Sequence, residues 1–221
     1  MFTARYVGPA AMFAALASFA APADAAMVSY YLNQTNVNPT LADGVNYARV
    51  DIDDNTPNEI NFTVTLLGLL TPGDNFGIQE FVFNVTDPNP LQDSSVNPAQ
   101  WELPLSWAAN VAPPQNQADG FGKFDVSVGD GGSARSTVLS FALIGTGLSL
   151  DRFATGSDNP AAQGNVLFGA HVAGFTIEGS DVTSAYFGGP LVAVVPLPAT
   201  LPLVFSGLVA LVTLRRRASE G

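Results

Sequence analysis

Apolar and polar residues alternate along much of the chain between residues 27 and 187. Around Phe62, for example, Ile60 and Val64 are separated from it by Asn61 and Thr63. Side chains with a period of two point to opposite faces of a strand, so this pattern predicts a half-buried β-strand. The other segments that predict strands are 27–32, 47–52, 81–85, 124–128, 139–143, 166–172 and 186–187.

Stretches rich in Gly, Pro, Asn and Asp separate these segments, as in Thr71-Pro72-Gly73-Asp74, and no helical period appears between them. Near-regular strands of this kind predict an all-β fold with a single antiparallel β-sandwich or jelly-roll-like domain. The segment that contains His171 continues past Gly174 to Phe175 and Ile177, which predicts a β-bulge at this glycine. The order of the strands stays open.

The first 25 residues have the organisation of a secretory signal peptide. Arg5 provides a weakly positive start, residues 7–20 are apolar, and Ala23 and Ala25 form a small-x-small cleavage site. We expect a signal-peptide helix over residues 1–25 that is removed after Ala25. The alternative, an uncleaved membrane anchor, needs a longer apolar run.

The charge and the composition of the expected extracytoplasmic domain, residues 26–190, exclude several functions. Seventeen acidic side chains between residues 26 and 195 stand against four basic ones, Arg49, Lys123, Arg135 and Arg152. Nucleic-acid binding is excluded because it needs a basic surface. The chain contains no cysteine, so it has no disulfide, thiol nucleophile or thiolate metal ligand.

The C-terminal segment predicts a membrane helix. A linker and proline-rich motif over residues 191–199 precede an uncharged apolar run, 200–214, and a basic tail, 215–221. The motif comprises Val195, Pro196, Leu197, Pro198 and Ala199, and the membrane stop comprises Arg215, Arg216 and Arg217. The positive-inside rule places these arginines in the cytoplasm and the domain outside the inner membrane. Fifteen residues give ~22 Å of helix against a bilayer core of ~30 Å, which favours transient display over permanent anchoring.

This tail resembles the PEP-CTERM sorting signal of Gram-negative bacteria. The proline pair, the apolar helix with Ser206-Gly207 near its centre and the arginine cluster occur in the same order, and Leu197 replaces the usual acidic residue. The tail looks like the Val-Pro-Leu-Pro-Ala variant of the signal. The resemblance implies cleavage by an exosortase-type membrane enzyme, transient residence in the inner membrane, and a final location at the cell surface or outside the cell. It also implies exopolysaccharide as a partner.

An acidic segment offers a weak calcium candidate. Asp51, Asp53 and Asn55 place oxygen ligands at alternate positions, as calcium loops do. Thr56, however, occupies the position where an EF-hand loop requires glycine. The competing interpretation is an acidic hairpin turn. Asp130, in Gly-Asp-Gly-Gly, is typical of a turn and joins a metal site only if the fold brings it close.

The sequence contains no recognisable catalytic constellation. His171 is the only histidine, and triads and most zinc sites need a histidine with partners. No Gly-x-Ser-x-Gly or phosphate-binding loop is present. We therefore predict a non-enzymatic protein without a cofactor. The number of acidic residues alone does not exclude a pair of carboxylates for glycoside hydrolysis.

Two tryptophans offer an alternative function. Trp101, Leu103, Leu105 and Trp107 share one face if their segment is extended, and Pro104 predicts an edge strand or a loop. Exposed indole rings stack on sugars, whereas buried ones cap a core. The first functional hypothesis is thus a non-catalytic exported protein of the cell surface or biofilm matrix. The second is a carbohydrate-binding module that uses these tryptophans, with calcium as an optional ligand, and the third is an envelope hydrolase.

Overall fold

The computed structural model describes residues 27–86, 100–159 and 163–189. Eleven strands occupy these residues: β1 (Met27–Leu32), β2 (Gln34–Thr35), β3 (Ala48–Asp53), β4 (Glu59–Leu66), β5 (Thr71–Phe83), β6 (Gln100–Glu102), β7 (Ala108–Ala118), β8 (Gly122–Gly129), β9 (Val138–Ile144), β10 (Phe168–Thr176) and β11 (Ser184–Gly189). A 3-10 turn spans Leu150–Phe153. The predicted all-β class is confirmed.

The strands form two antiparallel sheets. The first sheet has the order β1-β3-β4-β9-β6, and the second has the order β2-β11-β10-β5-β8-β7. Their inner faces share one hydrophobic cluster, so the arrangement is sandwich-like. Each segment predicted from alternation overlaps a strand of these sheets. The stretch Thr71-Pro72-Gly73-Asp74 does not separate strands as predicted, because it forms the beginning of β5 and pairs with β10.

An aromatic cluster fills the space between the sheets. Phe62 of β4 lies at its centre, with ring centroids 5.0 Å from Phe83, 4.8 Å from Phe141 and 5.2 Å from Phe153. Tyr30 and Phe168 make a further contact between the sheets at 4.9 Å. Alternation of large apolar side chains along the strands is what directs these rings to one interior.

The bulge predicted at Gly174 is confirmed. The pairing of β10 with β5 shifts register between Ala173 and Phe175, and Gly174 has a φ of +77°. A Cβ atom at Gly174 would lie 2.5 Å from the carbonyl oxygens of Asp74 and Asn75. Glycine is required because the left-handed φ and the close approach both exclude a side chain.

A second apolar cluster covers one part of the outer face of the second sheet. It contains Phe121, Phe124 and Val166 together with Val82 and Ala118. The cluster lies directly on β10 and β11, because a Cβ atom on Gly188 would be 2.7 Å from the Phe121 ring. The remaining part of this outer face carries polar side chains.

The terminal predictions lie outside the described residues. These are the signal peptide 1–25 with Ala23 and Ala25, the linker and motif 191–199, the helix 200–214 and the arginines of the tail. The strands begin at Met27 and end at Gly189. Within the described ranges, no helix has the length and apolar character needed to cross a membrane.

Candidate functional site

A row of polar side chains crosses the outer face of the second sheet. Ala170 and Val172 of β10 face the core, so His171 between them faces outward. His171 is the cross-strand partner of Tyr186 on β11 and of Glu80 on β5. Its ring stacks on Tyr186 with centroids 4.6 Å apart and 17° between the ring planes.

Glu80 accepts hydrogen bonds from both sides. The Tyr186 hydroxyl donates to its Oε2 at 2.7 Å, and the Ser127 hydroxyl donates to its Oε1. The single proton of Ser127 is therefore directed at a carboxylate. The Ser127 hydrogen bond thus joins the side chains of β8 and β5 across the outer face of the second sheet.

The electrostatics keep this row largely uncharged apart from Glu80. Burial lowers the pKa of His171; the Glu80 charge opposes this change, and the Arg135 charge adds to it. The imidazole is therefore neutral at pH 7, with one donor and one acceptor nitrogen. Burial also raises the pKa of Tyr186, and the charge of Glu80 and the hydrogen bond to it act in the same direction. Tyr186 thus remains a donor.

An open cleft of about 420 Å³ lies beside the row. It follows the bulge between β5 and β10, where Gly73 and Gly174 bring the two backbones together. Small-molecule sites occupy ~300–1,000 Å³, so the volume suits a compact ligand. The polar side chains in its lining include those of Asp74, Gln79, Arg135, His171, Thr183 and Ser184.

Arg135 reaches the cleft from the loop between β8 and β9. Its Nε and Nη2 donate to Gln79 Oε1 at 3.1 and 2.7 Å, and its Nη1 donates to the Asn75 carbonyl at 3.1 Å. These acceptors are neutral. No carboxylate in the described part of the chain lies within ion-pair distance of Arg135. The guanidinium thus keeps its charge without direct neutralisation.

Asp130 holds the loop that carries Arg135. Its carboxylate accepts the backbone N–H of Gly132 at 2.7 Å and that of Ala134. The Asn75 side chain in turn donates to the Gly132 carbonyl at 2.9 Å. The interpretation of Asp130 as a turn residue agrees with these bonds.

The calcium candidates are engaged in the first sheet. Asp51 accepts from Ser29 Oγ at 2.6 Å and forms an ion pair with Arg49 at 2.8 Å. Asp53 accepts the backbone N–H of Asn55 at 3.2 Å, which is the geometry of a turn. Among the described residues, no group of three or more His, Cys, Asp or Glu side chains is placed to hold a metal ion.

The two tryptophans pack against the core and form no shared platform. Trp107 is 8% exposed, and Trp101 is half-buried with its ring 6.3 Å from Phe141. A shared face requires an extended segment, and the segment is not extended: the chain turns at Ser106, where φ is +71°, and only 100–102 form a strand. Leu105 is consequently 93% exposed. Of the two predicted alternatives, an edge strand or a loop, Pro104 lies in a loop, and the adjoining β6 is the edge strand of the first sheet.

The sequence singled out His171 as a residue to consider, but it did not indicate which side chains surround it. Glu80 and Arg135 carried no motif; the only available signal was that Arg135 is one of few cations in a strongly acidic domain. No match to this chain is found among known protein families, curated proteins or solved structures.

Proposed function

We propose that this chain is a non-catalytic exported protein that a PEP-CTERM-type signal sorts to the cell surface or to an exopolysaccharide matrix. In this proposal a single β-sandwich or jelly-roll-like domain lies between a signal-peptide helix and a C-terminal transmembrane helix. The observation that carries it is the order of segments in the sequence. The strands begin two residues after Ala25 and end six residues before Val195, so the sheets fill the interval between the two signals.

The hydrogen bonding around His171 supports the non-catalytic part of the proposal. Ser127 and Tyr186 both donate to Glu80, which satisfies a half-buried carboxylate within the sheet. Ser127 and Tyr186 are thereby engaged with Glu80 on the neighbouring strand. Among the described residues Ser127 makes no hydrogen bond to the His171 ring, so the row contains no Ser–His pair of the kind that activates a serine nucleophile.

The expected partners are an exosortase-type membrane enzyme and, transiently, the inner membrane. The short apolar run of residues 200–214 supports this, because a marginal anchor favours release after processing over permanent retention. Carbohydrate binding through Trp101 and Trp107, with or without calcium, gains no support from the packing of these rings. A glycan array that shows binding lost in a Trp101→Ala variant would restore it.

Intact-mass analysis of the protein from its native host tests the sorting proposal. We expect the mature protein to lack residues 1–25 and the segment after the proline motif, and a strain without the exosortase-type enzyme to retain that segment. A Pro196→Ala, Pro198→Ala variant should also retain it, whereas Pro190→Ala, outside the motif, should be processed normally. Retention of the helix and arginines in both strains would refute the proposal.

A further inference from the structure

The cleft beside His171 combines a cation with unengaged polar groups. Arg135 uses three of its five N–H donors on neutral protein oxygens, which leaves two for a ligand. Asp74, Thr183 and Ser184 make no side-chain hydrogen bond to other described residues. The lining thus offers one positive charge, one carboxylate and three hydroxyls, the third being that of Thr176, around a compact volume.

The charge of Arg135 decides which ligands fit. A guanidinium binds a carboxylate through paired N–H donors, and such charge-assisted bonds are the strong ones. A single cation beside Asp74, in a domain with a large excess of acidic residues, matches one negative charge better than two. A monocarboxylate is therefore favoured over a phosphate dianion, which would meet stronger repulsion.

The other lining groups decide what accompanies the carboxylate. The Asp74 carboxylate can accept hydrogen bonds from ligand hydroxyls, and the Thr183 and Ser184 hydroxyls can donate or accept them. Neutral His171 offers one donor and one acceptor. The apolar side chains in the lining are those of Ala173 and Phe175, and the other lining residues are polar or glycine. A compact ligand with several hydroxyls fits this lining better than an apolar acid.

We propose that this cleft binds a hexuronate, a sugar that carries one carboxylate, with the carboxylate on Arg135 and the hydroxyls on Asp74, Thr183 and Ser184. The site belongs to the folded domain and does not depend on the sorting tail. It is also separate from Trp101 and Trp107, which lie on the edge of the first sheet and in the core.

His171 provides a direct reporter of binding because it is the only histidine. Its ring protons give isolated NMR signals in the full-length protein solubilised in mild detergent. D-glucuronate should shift these signals with a Kd of about 1 mM. Bound carboxylate offsets the charge of Arg135, so the pKa of His171 should rise on binding. D-glucose, which lacks the carboxylate, should cause neither change.

Variants assign the binding to Arg135. Arg135→Gln should weaken glucuronate binding about ten-fold or more, because it removes a charge-assisted contact. Lys123→Gln removes the same charge from β8 away from the cleft and should leave the Kd unchanged. Arg135→Lys keeps the positive charge but lacks the paired N–H donors of the guanidinium, so it should bind glucuronate with intermediate affinity. If Arg135→Gln does not fold, the His171 titration of the wild-type protein with and without glucuronate still tests whether the carboxylate binds beside Arg135.

Further ligands show whether the bound sugar is free or part of a polysaccharide, and whether the cleft is selective for a hexuronate. An acidic oligosaccharide that binds at least as tightly as glucuronate identifies a polysaccharide chain as the source, and weaker binding identifies the free sugar acid. The proposal is overturned if acetate or L-alanine binds as tightly as glucuronate, if glucose binds equally well, or if glucuronate leaves the His171 signals unchanged. None of these outcomes bears on tail processing, so this proposal and the sorting proposal fail independently.

Discussion

Replacement of Phe62 by alanine should remove a large part of the stability of this fold. Phe62 is 1% exposed and lies between the sheets. Four other phenylalanine rings, those of Phe81, Phe83, Phe141 and Phe153, have centroids within 6.2 Å of its own. Without disulfides, the packing of such rings is the main source of stability available to the domain.

The expected loss follows from the burial and the number of neighbours. Phenylalanine-to-alanine changes in cores cost ~3–5 kcal/mol in total, a range that includes the lost contacts with neighbouring side chains. With three ring partners in the two sheets and a fourth, Phe153, in the 3-10 turn, we expect about 4 kcal/mol. A domain of this size has a free energy of unfolding of ~5–15 kcal/mol. At ~2–4 °C per kcal/mol, the Tm should fall by about 8–16 °C.

Urea unfolding followed by tryptophan fluorescence measures this loss. Buried Trp107 and half-buried Trp101, which stacks near Phe141, both change environment when the sheets separate. Leu105→Ala is the control, since this side chain is almost fully exposed and its loss should change the free energy by less than about 0.5 kcal/mol. A loss below about 1 kcal/mol for Phe62→Ala, with an unchanged m value, would refute the central role of this ring.

Three further predictions concern the bulge, a buried amide and the pH dependence. Gly174→Ala should lower the Tm more than Gly179→Ala in thermal unfolding; both glycines have positive φ, but only a Cβ at Gly174 meets backbone oxygens at 2.5 Å, and equal losses would contradict the steric argument. Asn84→Ala should cost ~1–3 kcal/mol in urea unfolding, because the buried amide donates to the Gly156 carbonyl at 2.7 Å and accepts from the Asp125 N–H at 2.6 Å. Burial lowers the pKa of His171 from its ordinary 6.5, so the unfolded state takes up the proton first, and stability should fall as the pH drops below about 6.5. His171→Gln should remove that part of the pH dependence, and an unchanged profile would refute it.

Alternation along the sequence was sufficient to predict most strands and the bulge in β10. Ala170 and Val172 flank His171 with the spacing of a strand, and the structure places them on the core face. Gly174 interrupts this spacing by one residue, which is the signature of a bulge, and the register shift occurs there. Both features depend on neighbours in the sequence alone.

Features that depend on distant segments could not be predicted. Phe124 shares its period with Val126 and Val128, yet it belongs to the outer cluster, while the other two face the core. The pairing of β7 with β8 is irregular between Val111 and Asn116, so the face changes within one strand. Strand order likewise depends on contacts between remote segments, which a period of two does not encode.

The position of Arg135 shows why the cleft, in particular, escaped sequence analysis. Its loop is held by hydrogen bonds from Gly132 and Ala134 to Asp130 and from Asn75 on a different strand. Because the loop and β5 are both fixed, the guanidinium is positioned before any ligand arrives, which lowers the entropic cost of binding. The same argument separates two contributions to the site. Cross-strand pairing fixes His171, and the loop alone fixes the cation, so a change in the loop can alter binding while the polar row stays intact.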